Sequence, residues 1–246
     1  MIVKLFISYK GTQYSGWQVQ KNAPTVQQTL QETIEGLLGY IVSVTGCSRT
    51  DSGVHANIYC CSVDTKENDM TIPFDKFPIA LNHKLPIDIS ALYAESADEA
   101  FHPRYDIKYK EYEYLIWNEN YPNPFLNDIS FHYPKPLNES VMNEAAQYFV
   151  GKHDFSAFMS AGSDITDCVR NILYFTVKRE GSKVLLNVAA DGFLYNMVRI
   201  LTGTLIEVSD GKISATDIPR IIESKNRKNA GFTAPPQGLY LNKVVY

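Results

Sequence analysis

The chain has 246 residues, of which 45% are hydrophobic and 20% charged, so it can bury the core of one large domain or of two ordinary ones. It contains no run of eighteen apolar residues, so no membrane-spanning helix is expected, and its short alternating N-terminus is unlike a signal peptide. The net charge of −4 argues against a protein coated in basic surface, but local clusters of Lys and Arg can still bind a nucleic acid.

The four cysteines, Cys47, Cys60, Cys61 and Cys168, show no spacing typical of metal ligands. Adjacent cysteines on a strand point to opposite faces, so Cys60 and Cys61 are not expected to pair with each other. We therefore predict four free thiols in a reducing cytoplasm, with disulfides or a metal site as the less favoured alternatives.

The first half of the chain predicts the element order β-α-β-β-α-β. Strands are predicted at 2–9, 40–44, 58–63 and 89–94, helices at 25–39 and 73–84, and a charged turn at 64–69. In the first helix Thr25 and Gln28 form a possible capping box, and Gly39 suits the C-terminal cap.

The second half repeats this order. Strands are predicted at 109–117, 171–178, 183–189 and 239–246, and helices at 138–151, 193–208 and 215–225. The sequence thus predicts an α+β protein with two ferredoxin-like halves, 1–105 and 106–246. Their mainly antiparallel sheets are expected to abut, with an active-site cleft between the halves.

A polar loop, 46–56, lies between two apolar runs of the first half. Within it Asp51 is the candidate reacting group, although an Asp here also commonly forms a turn or a helix cap. Arg49 projects to the same side in an extended segment and could hold an anionic group, with a surface ion pair as the alternative. His55 could act as a base, but a hydrogen bond within the loop is the more frequent role.

The pattern Gly46-x-x-Arg49-Thr50-Asp51-x-Gly53-Val54-His55-Ala56 resembles the catalytic-loop signature of the TruA family of tRNA pseudouridine synthases. Six further segments resemble that family in the same order: Tyr9-Lys10-Gly11-Thr12-x-Tyr14-x-Gly16-Trp17-Gln18, Val26-Gln27, Phe101-His102-Pro103-Arg104, Tyr112-x-Tyr114-x-Ile116, Phe193-Leu194-x-Asn196-Met197-Val198-Arg199 with Gly203, and Ala234-Pro235-x-x-Gly238-Leu239-Tyr240-Leu241. The resemblance spans nearly the whole chain. It departs at Ser48 and Ser52, where the family usually has glycine and alanine.

The resemblance implies an isomerase that converts uridine to pseudouridine at positions 38, 39 and 40 of the anticodon arm. It implies that Asp51 attacks the target nucleotide, that Tyr112 stacks on the target base and that Arg199 pairs with the aspartate. Arg49 is implied to help hold the flipped nucleotide, and His55 is included with the substrate-binding candidates. The expected partners are tRNA and a second copy of the chain in a cytoplasmic homodimer, with no membrane association.

The chemistry of the reaction agrees with these residue types. Moving C1′ from N1 to C5 of uracil needs no redox step and no energy input, so no cofactor or metal is expected. An ionised carboxylate can assist the bond breakage, and an arginine beside it lowers its pKa by ~1–3 units. Two alternatives remain open, a non-catalytic tRNA-binding protein of the same fold and a hydrolase that uses Asp51 with His55.

Several candidates also have ordinary structural interpretations. Tyr112 could be a core residue beside Tyr114, and the stem of Arg199 could extend outward from its apolar helix to solvent. The basic residues Lys225, Arg227 and Lys228 could contact phosphate or form a solvated face.

Overall fold

A computed structural model describes residues 1–66, 68, 70–162 and 165–246. The chain divides into two compact units, Met1–Lys108 together with Leu241–Tyr246, and Tyr109–Tyr240. The second unit is therefore inserted between two segments of the first. The domains predicted at 1–105 and 106–246 remain predictions, and the placement of the last six residues with the first unit had no local signal in the sequence.

The first unit has the predicted order β-α-β-β-α-β. Its elements are β1 (Ile2–Tyr9), α1 (Val26–Leu38), β2 (Ser43–Gly46), β3 (His55–Asp64), α2 (Phe77–Asn82) and β4 (Ile89–Ala97). The strands pair antiparallel in the order β4-β1-β3-β2, with Leu5 opposite both Cys61 and Ala94. This is the strand order of a ferredoxin-like sheet, so the α+β class and the antiparallel pairing are confirmed in this unit.

The ends of α1 follow from its capping residues. The Thr25 hydroxyl accepts the backbone N–H of Gln28 at 3.4 Å, and Gly39 closes the helix in the left-handed region at φ 80°. Helix α2 is shorter than predicted and begins at Phe77. A start near residue 73 would place Pro78 inside the helix, where its ring clashes with the preceding turn, whereas the first turn accommodates it.

The second unit contains the predicted elements and two short additional strands. They are β5 (Tyr109–Trp117), β6 (Phe131–His132), α3 (Glu139–Gln147), β7 (Gly151–Asp154), β8 (Val169–Glu180), β9 (Lys183–Ala190), α4 (Met197–Ser209) and α5 (Ile218–Ser224). Strand β10 (Leu239–Val245) begins in this unit and ends in the first. The order β5-β9-β8-β7 is antiparallel throughout, and β6 pairs parallel to β5.

The α3 and α4 helices differ from prediction at their ends. Helix α3 stops at Gln147, four residues before the predicted end at 151, and Tyr148 just after it is 38% exposed. Helix α4 begins at Met197 rather than at 193, because Asn196 takes the left-handed region at φ 61° and interrupts helical geometry there. The side chains of α4 are nearly all buried, and its Thr202 and Thr204 hydroxyls donate to carbonyls one turn earlier.

All four cysteines are free thiols, as predicted, and the structure shows in addition that all four are buried. The charged turn predicted at 64–69 falls partly on Glu67 and Asp69, which lie outside the described residues. Across the described ranges, no helix combines the length and apolarity that crossing a lipid bilayer requires.

Candidate active site

The loop that carries Asp51 joins β2 to β3 and is held from its inner side by Thr50. Thr50 is 7% exposed, and its hydroxyl forms a 2.8 Å hydrogen bond with the Tyr9 hydroxyl. Arg49 is exposed and Asp51 is partly exposed. Thr50 is thus buried between two more exposed charged residues, and a shared orientation of Arg49 and Asp51 stays a prediction.

The N-terminal segment after β1 fixes the loop backbone. The Trp17 N–H donates to the Thr50 carbonyl at 3.2 Å, and the Gly53 N–H donates to the Tyr14 carbonyl at 3.3 Å. The Ser52 hydroxyl donates to the same Tyr14 carbonyl at 3.2 Å. Two family-like segments of the sequence, around residues 9–18 and 46–56, are therefore one structural assembly.

Three glycines allow this close approach. A Cβ on Gly11 would lie 1.9 Å from the Val54 carbonyl oxygen, and one on Gly46 would lie 2.1 Å from the Tyr59 hydroxyl. Gly16 has φ +85°, and a Cβ added to it would lie 2.4 Å from the Thr50 carbonyl oxygen. At each of these positions any side chain would push the loop backbone away from its support.

Tyr59 supports the start of the loop. Its hydroxyl accepts the backbone N–H of Ser48 at 3.3 Å and donates to the Ser48 carbonyl. Its ring stacks on Trp17 with 4.1 Å between centroids, and burial raises its pKa well above the usual value, so the hydroxyl keeps its proton. Ser48 therefore has both backbone groups fixed where the family usually has glycine.

His55 is the first residue of β3 and is 1% exposed. Its Nδ1 accepts the Gly11 backbone N–H at 2.9 Å, which places the proton of a neutral imidazole on Nε2. A buried ring in this role supports the loop from within. The sequence suggested that His55 donates a hydrogen bond in the loop, whereas here it accepts one from Gly11, outside the 46–56 loop. Roles of His55 as a base or a substrate contact stay predictions.

Tyr112 lies in the second unit on β5 and is 6% exposed. The ring of Phe193 packs edge-on against it, with 5.0 Å between centroids and planes 85° apart. Tyr114, on the same face, donates its hydroxyl to the Pro235 carbonyl at 2.7 Å. Tyr112 and Tyr114 thus have different surroundings, an aromatic ring for the first and the 234–238 segment for the second.

Arg199, in the first turn of α4, is partly buried and hydrogen-bonded within the second unit. Its Nε donates to the Ala234 carbonyl at 2.7 Å, and its Nη1 donates to Asn196 Oδ1 at 2.6 Å. The Ala234 N–H in turn donates to the Arg199 carbonyl at 3.1 Å. These contacts give the guanidinium a fixed orientation, unlike that of a stem extending freely to solvent.

Two of the three basic residues near the 226–233 loop have partners in their own unit. Arg227 donates to the Ala230 and Gly231 carbonyls and to the Thr233 hydroxyl. Lys225 lies 2.7 Å from Asp154, and its hydrogen bond lowers the pKa of that carboxyl to about 2. These contacts favour structural roles over contact with phosphate.

No cluster of three His, Cys, Asp or Glu side chains within residues 1–66, 68, 70–162 and 165–246 could hold a metal ion. The site candidates are a carboxylate and an arginine on a supported loop in one unit, and a tyrosine and a fixed arginine in the other.

Comparison with known proteins identifies the family to which the chain belongs. The model of a family described as tRNA pseudouridine synthase matches residues 5–106 and 145–246. A tRNA pseudouridine synthase A of Acetivibrio thermocellus is 50% identical over 244 residues, and one of Ruminiclostridium cellulolyticum is 46% identical over 245, each match covering 99% of both chains. The chain therefore belongs to the tRNA pseudouridine synthase family.

A solved structure titled "Structure of H/ACA RNP bound to a substrate RNA containing 2'-deoxyuridine" is only distantly similar. It aligns with 83% of this chain and 43% of that chain at 12% identity, with a TM-score of 0.39. A similarity this weak adds nothing to the family assignment.

Proposed function

We propose that the protein isomerises uridine to pseudouridine at positions 38, 39 and 40 in the anticodon arm of tRNA. The observation that carries the proposal is the 50% identity to a tRNA pseudouridine synthase A over 99% of both chains. The support that the N-terminal segment gives to the Asp51 loop is consistent with a loop whose geometry matters for function.

In this proposal Asp51 is the attacking carboxylate. The N1–C1′ bond breaks, the uracil turns, and a C5–C1′ bond forms, while C5 loses a proton and N1 gains one. The mass of the nucleotide does not change, and the reaction needs no oxidant or co-substrate. The carboxylate acts in its ionised form, because only that form is a competent nucleophile.

Arg199 is proposed to keep the Asp51 carboxylate ionised. A guanidinium beside a carboxylate typically lowers the carboxyl pKa by ~1–3 units. The bonds from Arg199 to Asn196 and Ala234 support this role, because they orient the guanidinium without help from substrate. Arg49 is proposed to hold the phosphate side of the extruded nucleotide, and Tyr112 to stack on the detached uracil.

The substrate is proposed to be recognised by its shape and phosphates. A uridine inside the anticodon stem must be extruded, which costs a few kcal/mol. Because the chain has a net charge of −4, two copies that each contribute local basic residues suit this task better than one. We therefore propose a homodimer, and light scattering should give twice the chain mass of 27.8 kDa.

The protein is proposed to act in the cytoplasm, where its tRNA substrate is found. The four buried free thiols are consistent with a reducing compartment.

The test replaces Asp51 and measures product and binding separately. Asp51→Asn and Asp51→Ala should abolish pseudouridine formation in a carbodiimide-based assay while tRNA binding survives. Asp75→Asn is the matched control, because Asp75 is an exposed carboxylate whose ion pair is with the neighbouring Lys76. Retained turnover in Asp51→Asn would refute the proposal, and mapping of total tRNA with and without the protein would identify the modified positions.

The same assay separates the alternatives. A non-catalytic tRNA-binding protein would form no pseudouridine, and this possibility is not favoured because the relatives are named synthases over nearly their full length. A hydrolase would release product and change the substrate mass. The buried, backbone-bonded His55 argues against it as the base that such a hydrolase needs.

A further inference from the structure

We infer that Asn196 is a positioning residue that holds the Arg199 guanidinium in place for the reaction. The inference rests on the proposed function of Arg199 and assigns a role to a residue that had none in the sequence analysis. The inference is based on the backbone conformation of Asn196, on its hydrogen bonds and on the need for a neutral acceptor at its position.

Asn196 occupies the N-cap position of α4 but does not cap the helix with its side chain. Asn138, at the same position of α3 in the same unit, accepts the Ser140 and Val141 N–H groups at 3.1 and 3.2 Å. Asparagine is among the best N-cap residues, so the Asn196 side chain forgoes its usual stabilising role. A residue that contributes less to the helix than it could is a candidate for a role in function.

The side chain of Asn196 links Arg199 to the neighbouring segment. Its Oδ1 accepts Arg199 Nη1 at 2.6 Å, and its Nδ2 donates to the Ser160 hydroxyl at 2.9 Å. Because a guanidinium only donates, Oδ1 must face Arg199, and this fixes the amide orientation. Ser160 is itself held by its N–H, which donates to the Tyr195 carbonyl at 3.1 Å.

Two acceptors in different segments define the plane of the guanidinium. One is the Ala234 carbonyl, which binds Nε, and the other is Asn196 Oδ1, which binds Nη1. A planar group held at two of its nitrogens cannot rotate about its stem without losing one bond. Loss of the Asn196 contact would remove one of these two bonds and loosen the orientation of the guanidinium.

The backbone conformation at position 196 restricts which residue types can accept the hydrogen bond from Arg199. A φ of 61° favours Gly, Asn and Asp over other residues, and an acceptor at this place requires Asn or Asp. A carboxylate here would compete with Asp51 for the positive charge of Arg199. Neutral asparagine is the side chain that fits the backbone, accepts the bond and leaves the charge of Arg199 for Asp51.

The experiment compares Asn196→Gly with Asn196→Asp by single-turnover pseudouridine formation across a pH range, together with tRNA affinity. Asn196→Gly keeps the left-handed backbone but removes the acceptor, so the maximal rate should fall about 10- to 100-fold with little change in affinity. The acid limb of the pH–rate profile of Asn196→Gly should move to higher pH, because a displaced Arg199 no longer lowers the pKa of Asp51.

Asn196→Asp should keep most of the maximal rate, because the acceptor is retained. Its acid limb should nevertheless move to higher pH, because the added negative charge raises the pKa of Asp51. The two variants should therefore share the shift of the acid limb but differ in maximal rate, which separates the placement of the guanidinium from its charge. A purely structural role would not shift the acid limb.

Asn138→Gly is the matched control, since it removes a side-chain cap from a helix of the same unit at a distance in the chain from Arg199. It should lower the melting temperature and leave the rate and the pH profile unchanged. Wild-type rate and pH profile in Asn196→Gly would overturn the inference and leave the proposed function intact if Asp51→Asn is inactive. Full turnover by Asp51→Asn would overturn both together.

Discussion

At the scale of single residues, a buried hydroxyl lies between two more exposed charged residues. Thr50 is hydrogen-bonded to Tyr9, whereas Arg49 is exposed and Asp51 is partly exposed. In the other unit Tyr112 is nearly buried, and its ring is supported edge-on by Phe193. A supported ring suits stacking, because little conformational entropy is lost when a base settles on it.

Replacing Tyr112 tests whether its ring or its hydroxyl matters. Tyr112→Phe should keep the rate within a few fold if stacking is the role, because the aromatic face is retained. Tyr112→Leu should lose about 1–3 kcal/mol of base stacking, or roughly 5- to 150-fold in kcat/KM. The measurement is steady-state pseudouridine formation, with thermal unfolding run on each variant.

An equal loss in both variants would instead assign the effect to the hydroxyl, as expected if it relays a proton at C5. That outcome would contradict stacking as the main role of Tyr112.

At the scale of elements, the 46–56 loop is held in place by the segment that packs against it. The 11–17 segment supplies the Tyr14 carbonyl and the Trp17 N–H, and Gly11 allows it to approach Val54. Loops held this closely keep side chains within the small displacements that catalysis tolerates.

Two glycine substitutions, Gly11→Ala beside the loop and Gly36→Ala away from it, are expected to have opposite effects on stability. Gly11→Ala places a Cβ 1.9 Å from the Val54 carbonyl oxygen, so it should destabilise the protein by about 1–3 kcal/mol. The resulting displacement of the loop should lower kcat by about 100-fold. Chemical denaturation and single-turnover rates measure the two effects.

Gly36→Ala is the control, because its Cβ in α1 meets nothing within 4 Å. It should stabilise the protein by about 1 kcal/mol through helix propensity and leave kcat unchanged. A Gly11→Ala variant with normal stability and rate would contradict the proposed packing of the loop.

At the scale of the whole molecule, buried cysteines are found in both compact units. Cys47, Cys60 and Cys61 are buried in the first unit, and Cys168 is buried in the second. Burial raises the pKa of Cys60 to about 12 and that of Cys61 well above its usual value. Thiols in this state carry almost no thiolate at neutral pH, and the thiolate is the reactive form.

Cys60 and Cys61 of the native protein should therefore react very slowly at pH 8 with a thiol reagent such as Ellman's reagent. Unfolding in urea should expose all four thiols, with three assigned to the first unit and one to the second. Peptide mapping of the modified cysteines against urea concentration would show whether the two units unfold together. Rapid modification of Cys60 in the native protein would contradict its burial.

Local patterns predicted much of the fold. The limits of β1 and β5 agree with the alternation of their residues, and Thr25 and Gly39 end α1 as their chemistry suggests. The errors arose where a single residue overrides a pattern, as Asn196 does for α4. The strands β6 and β7 have two and four residues, too few for an alternation to be recognised.

The sequence by itself determined the family, the α+β class and the identity of the site candidates, because motifs and periodicity depend on residues close together in the chain. Only the tertiary structure showed how the candidates and their neighbours are held. Thr50 is hydrogen-bonded to Tyr9, His55 to Gly11 and Arg199 to Ala234, and these pairs are 41, 44 and 35 residues apart in the chain. Contacts at such separations depend on strand register and packing, which no local pattern encodes.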